Sequence, residues 1–164
     1  MRIAFFGLAL TLGLFAQETT VVMVRHAEKA SLSDPDSPLS EAGQRRALAL
    51  VPQLTAFKPT VLYVSERHRT QQTMAPTAKA LGLKPIIHSS EAPETLALEI
   101  LQQHRGRTVA VAWHHGPHEA FARALGVETP LPVWTASTFD RIWLMVIPAN
   151  GPARFAERLQ APLR

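Results

Sequence analysis

Apolar residues in this chain occur either in short unbroken runs or at intervals of three and four, and the two patterns alternate along its length. Thr20 to Val24 is the first run, β-branched and apolar, as suits a strand covered on both faces. It stops at the polar string Arg25-His26-Ala27-Glu28-Lys29. Ser31 to Leu39 contains Asp34, Pro35, Asp36 and Pro38 and reads as a loop. Ser40 then caps a helix whose apolar face is Ala47, Leu48, Val51 and Leu54, with Pro52 fraying its end. Val61 to Val64 is the second strand. After the polar stretch Ser65 to Gln72, a helix follows with Met74, Thr77, Ala78 and Leu81 on one face, and Pro76 belongs in its first turn or at a kink. A short strand around Pro85 to His88 precedes a helix from Pro93 to His104 that Gly106 closes. Thr108 to Ala112 is a further buried strand, and Gly116-Pro117 opens a helix carrying Ala120, Phe121, Ala124 and Leu125 inward until Gly126. Arg141 to Ile147 is a late strand, and Arg154 to Leu159 is either an edge strand or a terminal helix. Strands alternating with helices predict an α/β sandwich with a mostly parallel central sheet.

Composition narrows the chemistry. The chain has 164 residues, 46% of them hydrophobic, which fits one domain with a full core. It contains no cysteine, which excludes disulfides, thiolate zinc ligands and thiol catalysis. The net charge of +4 is spread along the chain rather than gathered in a basic tail. That distribution suits a small anionic substrate and argues against a nucleic-acid partner. Arg2, the apolar run Ile3 to Phe15 and Ala16 read as an export signal, too short for a spanning helix of about 20 residues. The expected organisation is therefore a signal segment at residues 1–16, a single domain at 17–164, and a periplasmic or secreted location. Membrane contact is expected only through that segment, if it is retained.

In open α/β sheets, ligands bind beyond the carboxyl ends of the strands. Here those ends carry Arg25 and His26 after the first strand, Arg69 after the second, and His114 after the strand at 108–112. Two arginines can hold phosphoryl oxygens with bidentate hydrogen bonds, and an imidazole can attack phosphorus if its other nitrogen donates to a backbone carbonyl. His114 and His118 are four apart, the spacing of a shared metal-binding helix face. Pro117 interrupts that face, so no metal site and no cofactor are expected. Trp113, Trp134 and Trp143 are expected in packing rather than in a substrate pocket.

Four ordered segments resemble the histidine phosphatase superfamily. They are Val24-Arg25-His26-Ala27-Glu28-Lys29, Leu39-Ser40-Glu41-Ala42-Gly43, Ser65-Glu66-Arg67-His68-Arg69-Thr70-Gln71-Gln72-Thr73 and Val111-Ala112-Trp113-His114. The resemblance implies a three-layer, phosphoglycerate-mutase-like α/β/α domain and hydrolysis of phosphomonoesters through a phosphohistidine on His26. It also implies that Arg25, Arg69 and His114 hold the phosphoryl group. Family members commonly have glycine before the later histidine and a small polar residue after it, whereas this chain has Trp113 and His115, so His115 is the fallback for His114. Glu91 resembles the mutase-like position of the acid that protonates the leaving group. Glu94 and Glu28 are its competitors, and Glu28 is also a candidate substrate contact. The alternatives are a phosphoglycerate mutase, a protein phosphohistidine phosphatase, and a non-catalytic phosphate- or phosphoglycan-binding module.

Overall fold

Side chains along β1 (Thr19–Arg25) alternate between two cores and thereby set the layering. Val21 and Met23 point into one core, Val22 and Val24 into the other. The same alternation runs through β2 (Val61–Ser65), with Val61 and Tyr63 against Leu62 and Val64, and through β4 (Thr108–Trp113), with Val109 and Val111 against Ala110 and Ala112. Strands buried on both faces need helices on both faces. Helices α1 (Glu41–Thr55) and α2 (His68–Leu81) cover one side through Leu50, Leu54, Met74 and Ala78. Helices α3 (Pro93–Gln103) and α4 (His118–Ala124) cover the other through Leu96, Ile100, Phe121 and Ala122. This computed structural model describes residues 18–162, so the export segment expected at 1–16 lies outside the described residues.

With β3 (Ile86–His88), β5 (Arg141–Ile147) and β6 (Arg154–Leu159), the sheet has six strands in the order β3-β2-β4-β1-β5-β6. The β1–β4, β2–β4 and β2–β3 pairs are parallel, and β5 runs antiparallel to both β1 and β6. The sheet is therefore mostly parallel in a three-layer sandwich. Residues 154–159 form the edge strand, because their backbone pairs with β5. The chain after β1 leads to α1 on one face and the chain after β4 leads to α4 on the other. These neighbouring strands thus bound the crevice where the topology switches sides.

Three local expectations are corrected. The buried face of α1 is Gly43, Ala47, Leu50 and Leu54, while Leu48 is 62% exposed. The rotation is set at the N-terminus, where Ser40 Oγ accepts from Gly43 N at 3.1 Å and Ser40 N donates to Glu28 O at 2.9 Å. Pro52 does not fray the helix, which continues through Thr55, because this proline sits on the solvent side. Helix α2 begins at His68, so Pro76 lies in its interior and Arg69 is its second residue. The early start has a tertiary cause: Asp36 Oδ1, from the loop before α1, accepts from His68 N at 2.9 Å and caps the helix from outside.

Gly43 packs its α-carbon against the backbone of Glu28, where a Cβ would collide with the carbonyl oxygen. Substituting Gly43→Ala should therefore destabilise the protein by about 1–3 kcal/mol, since rigid backbone lies on both sides of the clash. Chemical denaturation should show a lower midpoint with an unchanged slope.

Candidate active site

Parallel pairing places Arg25 opposite Trp113, so the next residue of each strand leaves the sheet at the same level. These residues are His26 and His114. His26 N donates to Trp113 O at 2.8 Å, and the two imidazole centroids lie 5.5 Å apart. Ser65, at the end of β2 on the other flank of β4, places its hydroxyl 2.8 Å from His114 Nε2. Arg69, in the first turn of α2, reaches His114 Nδ1 at 3.3 Å through Nη2.

The His26 ring has one available orientation for chemistry. Its Nδ1 lies 2.8 Å from Ala27 O. A carbonyl only accepts, so Nδ1 carries the proton and Nε2 presents a lone pair. Burial pushes the His26 pKa down to about 3; the Ala27 hydrogen bond opposes the fall, and the charges of Arg25, His114 and Arg69 add to it. The ring is therefore neutral at ordinary pH.

Both arginines are held through Nη1. Arg25 Nη1 lies 2.9 Å from each of the carbonyls of Thr135, Ala136 and Thr138, and the guanidinium carbon sits 4.1 Å over the Phe139 ring. Arg69 Nη1 donates to Pro35 O at 2.9 Å. In each residue the buried Nε–H has no acceptor among the described residues. Unpaired buried donors are rare, and two of them on cations in one cavity mark a place for an anion. Burial and the neighbouring Arg69 charge lower the Arg25 pKa to about 10, so the group remains a cation. Arg25, His26, Arg69, His114 and His115 all line a cavity of about 400 Å³.

A family model described as histidine phosphatase superfamily (branch 1) matches residues 21–94, the stretch containing Arg25, His26 and Arg69. Over those residues the chain is similar to the histidine phosphatase superfamily. It is 42% identical over 75 residues to an 8-oxo-(d)GTP phosphatase of Mycolicibacterium smegmatis. That match covers 43% of this chain and 23% of the relative, so the chain aligns with about a quarter of that protein's length. Among solved structures, a mycobacterial glucosyl-3-phosphoglycerate phosphatase superposes with a TM-score of 0.66 at 16% identity, covering 87% of this chain and 99% of its own. A phosphoserine phosphatase from Entamoeba histolytica gives a TM-score of 0.63 at 14% identity, covering 88% and 98% respectively. At these identities the structural likeness bears on the fold alone.

Within this fold, the carboxylates expected at the site stand apart from the cavity. Glu91 and Glu94 are exposed and do not line it. Glu91 sits in the turn before α3, which Glu66 ties down by accepting from Ser90 N at 2.8 Å and Ser90 Oγ at 2.6 Å. Glu28 faces away, held by Arg46 through Nε at 2.9–3.0 Å and Nη2 at 2.6 Å. Burial alone would raise the Glu28 pKa, but the Arg46 hydrogen bonds and charge hold it below the usual carboxylate value. It is a bound anion rather than a proton donor.

The second histidine also differs from expectation in detail. Arg69 only donates, so His114 Nδ1 accepts and Nε2–H donates to Ser65 Oγ. Burial first, then the Arg69 charge, lowers the His114 pKa to about 4. In this state the neutral ring steadies Arg69, and it gains a donor at Nδ1 only by taking a second proton.

Several contributors have no sequence signal of their own. Phe139 covers Arg25, Thr73 Oγ1 accepts from Ala27 N at 2.9 Å, and the 135–138 carbonyls come from a loop far along the chain. That loop is anchored by Trp134, which stacks on His118 at 4.6 Å and donates to Glu157 at 3.1 Å. Trp113, Trp134 and Trp143 all pack in the core beneath it.

A ring-resolved NMR titration should find His26 neutral, with its proton on Nδ1, from pH 8 down to about pH 4. The ring charges only as the pH falls toward its depressed value of about 3. A midpoint near the ordinary ~6.5 would contradict this burial. Replacing Trp134→Ala should loosen the carbonyl clamp on Arg25 and weaken vanadate binding, measured by inhibition or calorimetry.

Proposed function

We propose that this domain is a metal-independent phosphatase that hydrolyses phosphomonoesters through a phosphohistidine on His26. The observation that carries this reading is the lone pair of His26 Nε2 in a cavity also lined by Arg25 and Arg69, whose Nε–H donors have no protein partner among the described residues. The family match over the residues that hold this cradle supports it, as do the phosphatase names of the relatives.

The phosphoryl oxygens would meet the guanidinium groups of Arg25 and Arg69, which are already oriented by the carbonyl partners of Nη1. Preorganised donors of this kind stabilise the charge that develops in transfer without reorganising during it. His26 Nε2 attacks in line, while Nδ1 keeps its proton on the Ala27 carbonyl. A phosphoryl group bound against His114 would favour the second proton on that ring, which supplies a further donor. Water then attacks phosphorus and restores the free imidazole. Export of the chain belongs to the same reading and rests on the Arg2 start, the apolar run Ile3 to Phe15 and Ala16. Cell fractionation of tagged protein tests it.

His26→Ala should lower p-nitrophenyl phosphate hydrolysis by at least ~10³-fold, the scale of losing a nucleophile, and activity near that of the unaltered protein would refute the mechanism. Arg69→Ala should weaken vanadate inhibition roughly tenfold or more, as loss of a charge-assisted hydrogen bond worth about 1.5–3 kcal/mol requires. Tight vanadate binding without turnover in the unaltered protein would make the chain a phosphate-binding module instead.

A further inference from the structure

Transfer to His26 needs a proton for the leaving oxygen only when that oxygen is strongly basic. Among the described residues, the side chains lining the cavity are cationic, imidazole or apolar, and none is a carboxylate. The carboxylates whose charge reaches the cradle are each engaged elsewhere. Glu28 holds Arg46, Asp34 accepts from Asp36 N, Asp36 caps His68, and Glu66 binds Ser90. The lining has positive charge to spare, however. Lys29 faces the same space as Arg25 and Arg69, and its ammonium makes one long contact of 3.5 Å to Leu32 O; the His115 ring beside it, held below its ordinary pKa by burial and the neighbouring cations, adds a neutral hydrogen-bonding group. Leu32, 91% exposed at the end of that contact, gives the lining an apolar edge with no anionic group. The space around the cradle thus matches a leaving group that is itself an anion and leaves without a proton.

We propose, resting on the phosphatase reading above, that the preferred substrates are phosphoanhydrides: the terminal phosphoryl group sits on Arg25 and Arg69, and the departing phosphate sits against Lys29 and His115. In the first step the His26 Nε2 lone pair forms the N–P bond as the bridging P–O bond breaks. The electron pair of that bond stays on the departing phosphate oxygen. A phosphate group has a second pKa near ~6, so it departs as an anion at neutral pH. In the second step water adds to phosphorus, the P–N electron pair returns to Nε2, and both water hydrogens leave with the product as dihydrogen phosphate. Neither step draws on a carboxyl group. An alkyl phosphate, whose leaving alkoxide must be protonated, gains no such help and loses the ~10²–10⁴-fold that a general acid supplies.

The test compares kcat/KM for inorganic diphosphate, p-nitrophenyl phosphate and glycerol 3-phosphate, measured in chelator on the unaltered protein, Lys29→Ala and His26→Ala. The expected result is turnover of diphosphate and p-nitrophenyl phosphate, with glycerol 3-phosphate lower than diphosphate by at least about 100-fold. Lys29→Ala should cut the diphosphate value at least tenfold more than the p-nitrophenyl phosphate value, and His26→Ala should abolish both. A smaller gap between glycerol 3-phosphate and diphosphate, or equal effects of Lys29→Ala on diphosphate and p-nitrophenyl phosphate, overturns the substrate class. So does turnover of p-nitrophenyl phosphate without turnover of diphosphate. Failure to hydrolyse p-nitrophenyl phosphate at all strikes the phosphatase reading itself, so the two failures are distinguishable.

Discussion

The parallel register between β1 and β4 is the constraint on which the site depends. Because Arg25 lies opposite Trp113, and His26 N is bonded to Trp113 O at 2.8 Å, the strands release their histidines at the same height and side by side. A shift of one residue in either strand would turn a histidine to the opposite face and exchange side chains of different size between the two cores. The register is therefore enforced by packing on both sides of the sheet, with Val109 and Val111 of β4 beside Val21 and Met23 on one face and the smaller Ala110 and Ala112 beside Val22 and Val24 on the other. The geometry of the site is inherited from packing that has no chemistry of its own.

Around that pair, the fold keeps two cations partly out of water, and no carboxylate among the described residues pairs with either. Such burial is costly unless polar groups replace the lost solvent. Arg25 receives three backbone carbonyls and an aromatic face, and Arg69 receives one carbonyl and an imidazole nitrogen. Carbonyls satisfy the donors without neutralising the charge, so the attraction for an incoming anion is preserved. The loop that supplies the Arg25 carbonyls is itself fixed by an aromatic stack of Trp134 on His118, with the indole donors of Trp134 and Trp143 meeting on Glu157 of β6. Stability in the core is thus coupled directly to the position of an arginine that lines the cavity.

The same logic separates this site from one that carries its own proton donor. Each carboxylate near the cavity serves the scaffold: Glu28 locks the chain after β1 to α1, Asp36 caps α2, and Glu66 ties the turn before α3 to the end of β2. These are second uses of motif residues, and they leave the interior of the cavity positive. Glu91 followed the expected order in sequence, yet its turn is oriented by Glu66 and Ser90 and leaves it at the surface.

By itself, the order of apolar runs and helical periods determined the α/β class, and the strand-end positions of Arg25, His26 and His114 followed from it, because both patterns are local. The tautomer of His26 was also within reach of local chemistry, since its acceptor is the carbonyl of the next residue. Tertiary structure decided what local pattern could not. The rotation of α1 depended on a backbone contact between Gly43 and Glu28, and the start of α2 on a carboxylate from the preceding loop. The cradle of Arg25 depended on carbonyls more than a hundred residues away. Backbone carbonyls look alike in every sequence, so only the folded chain determines which of them surround a buried charge.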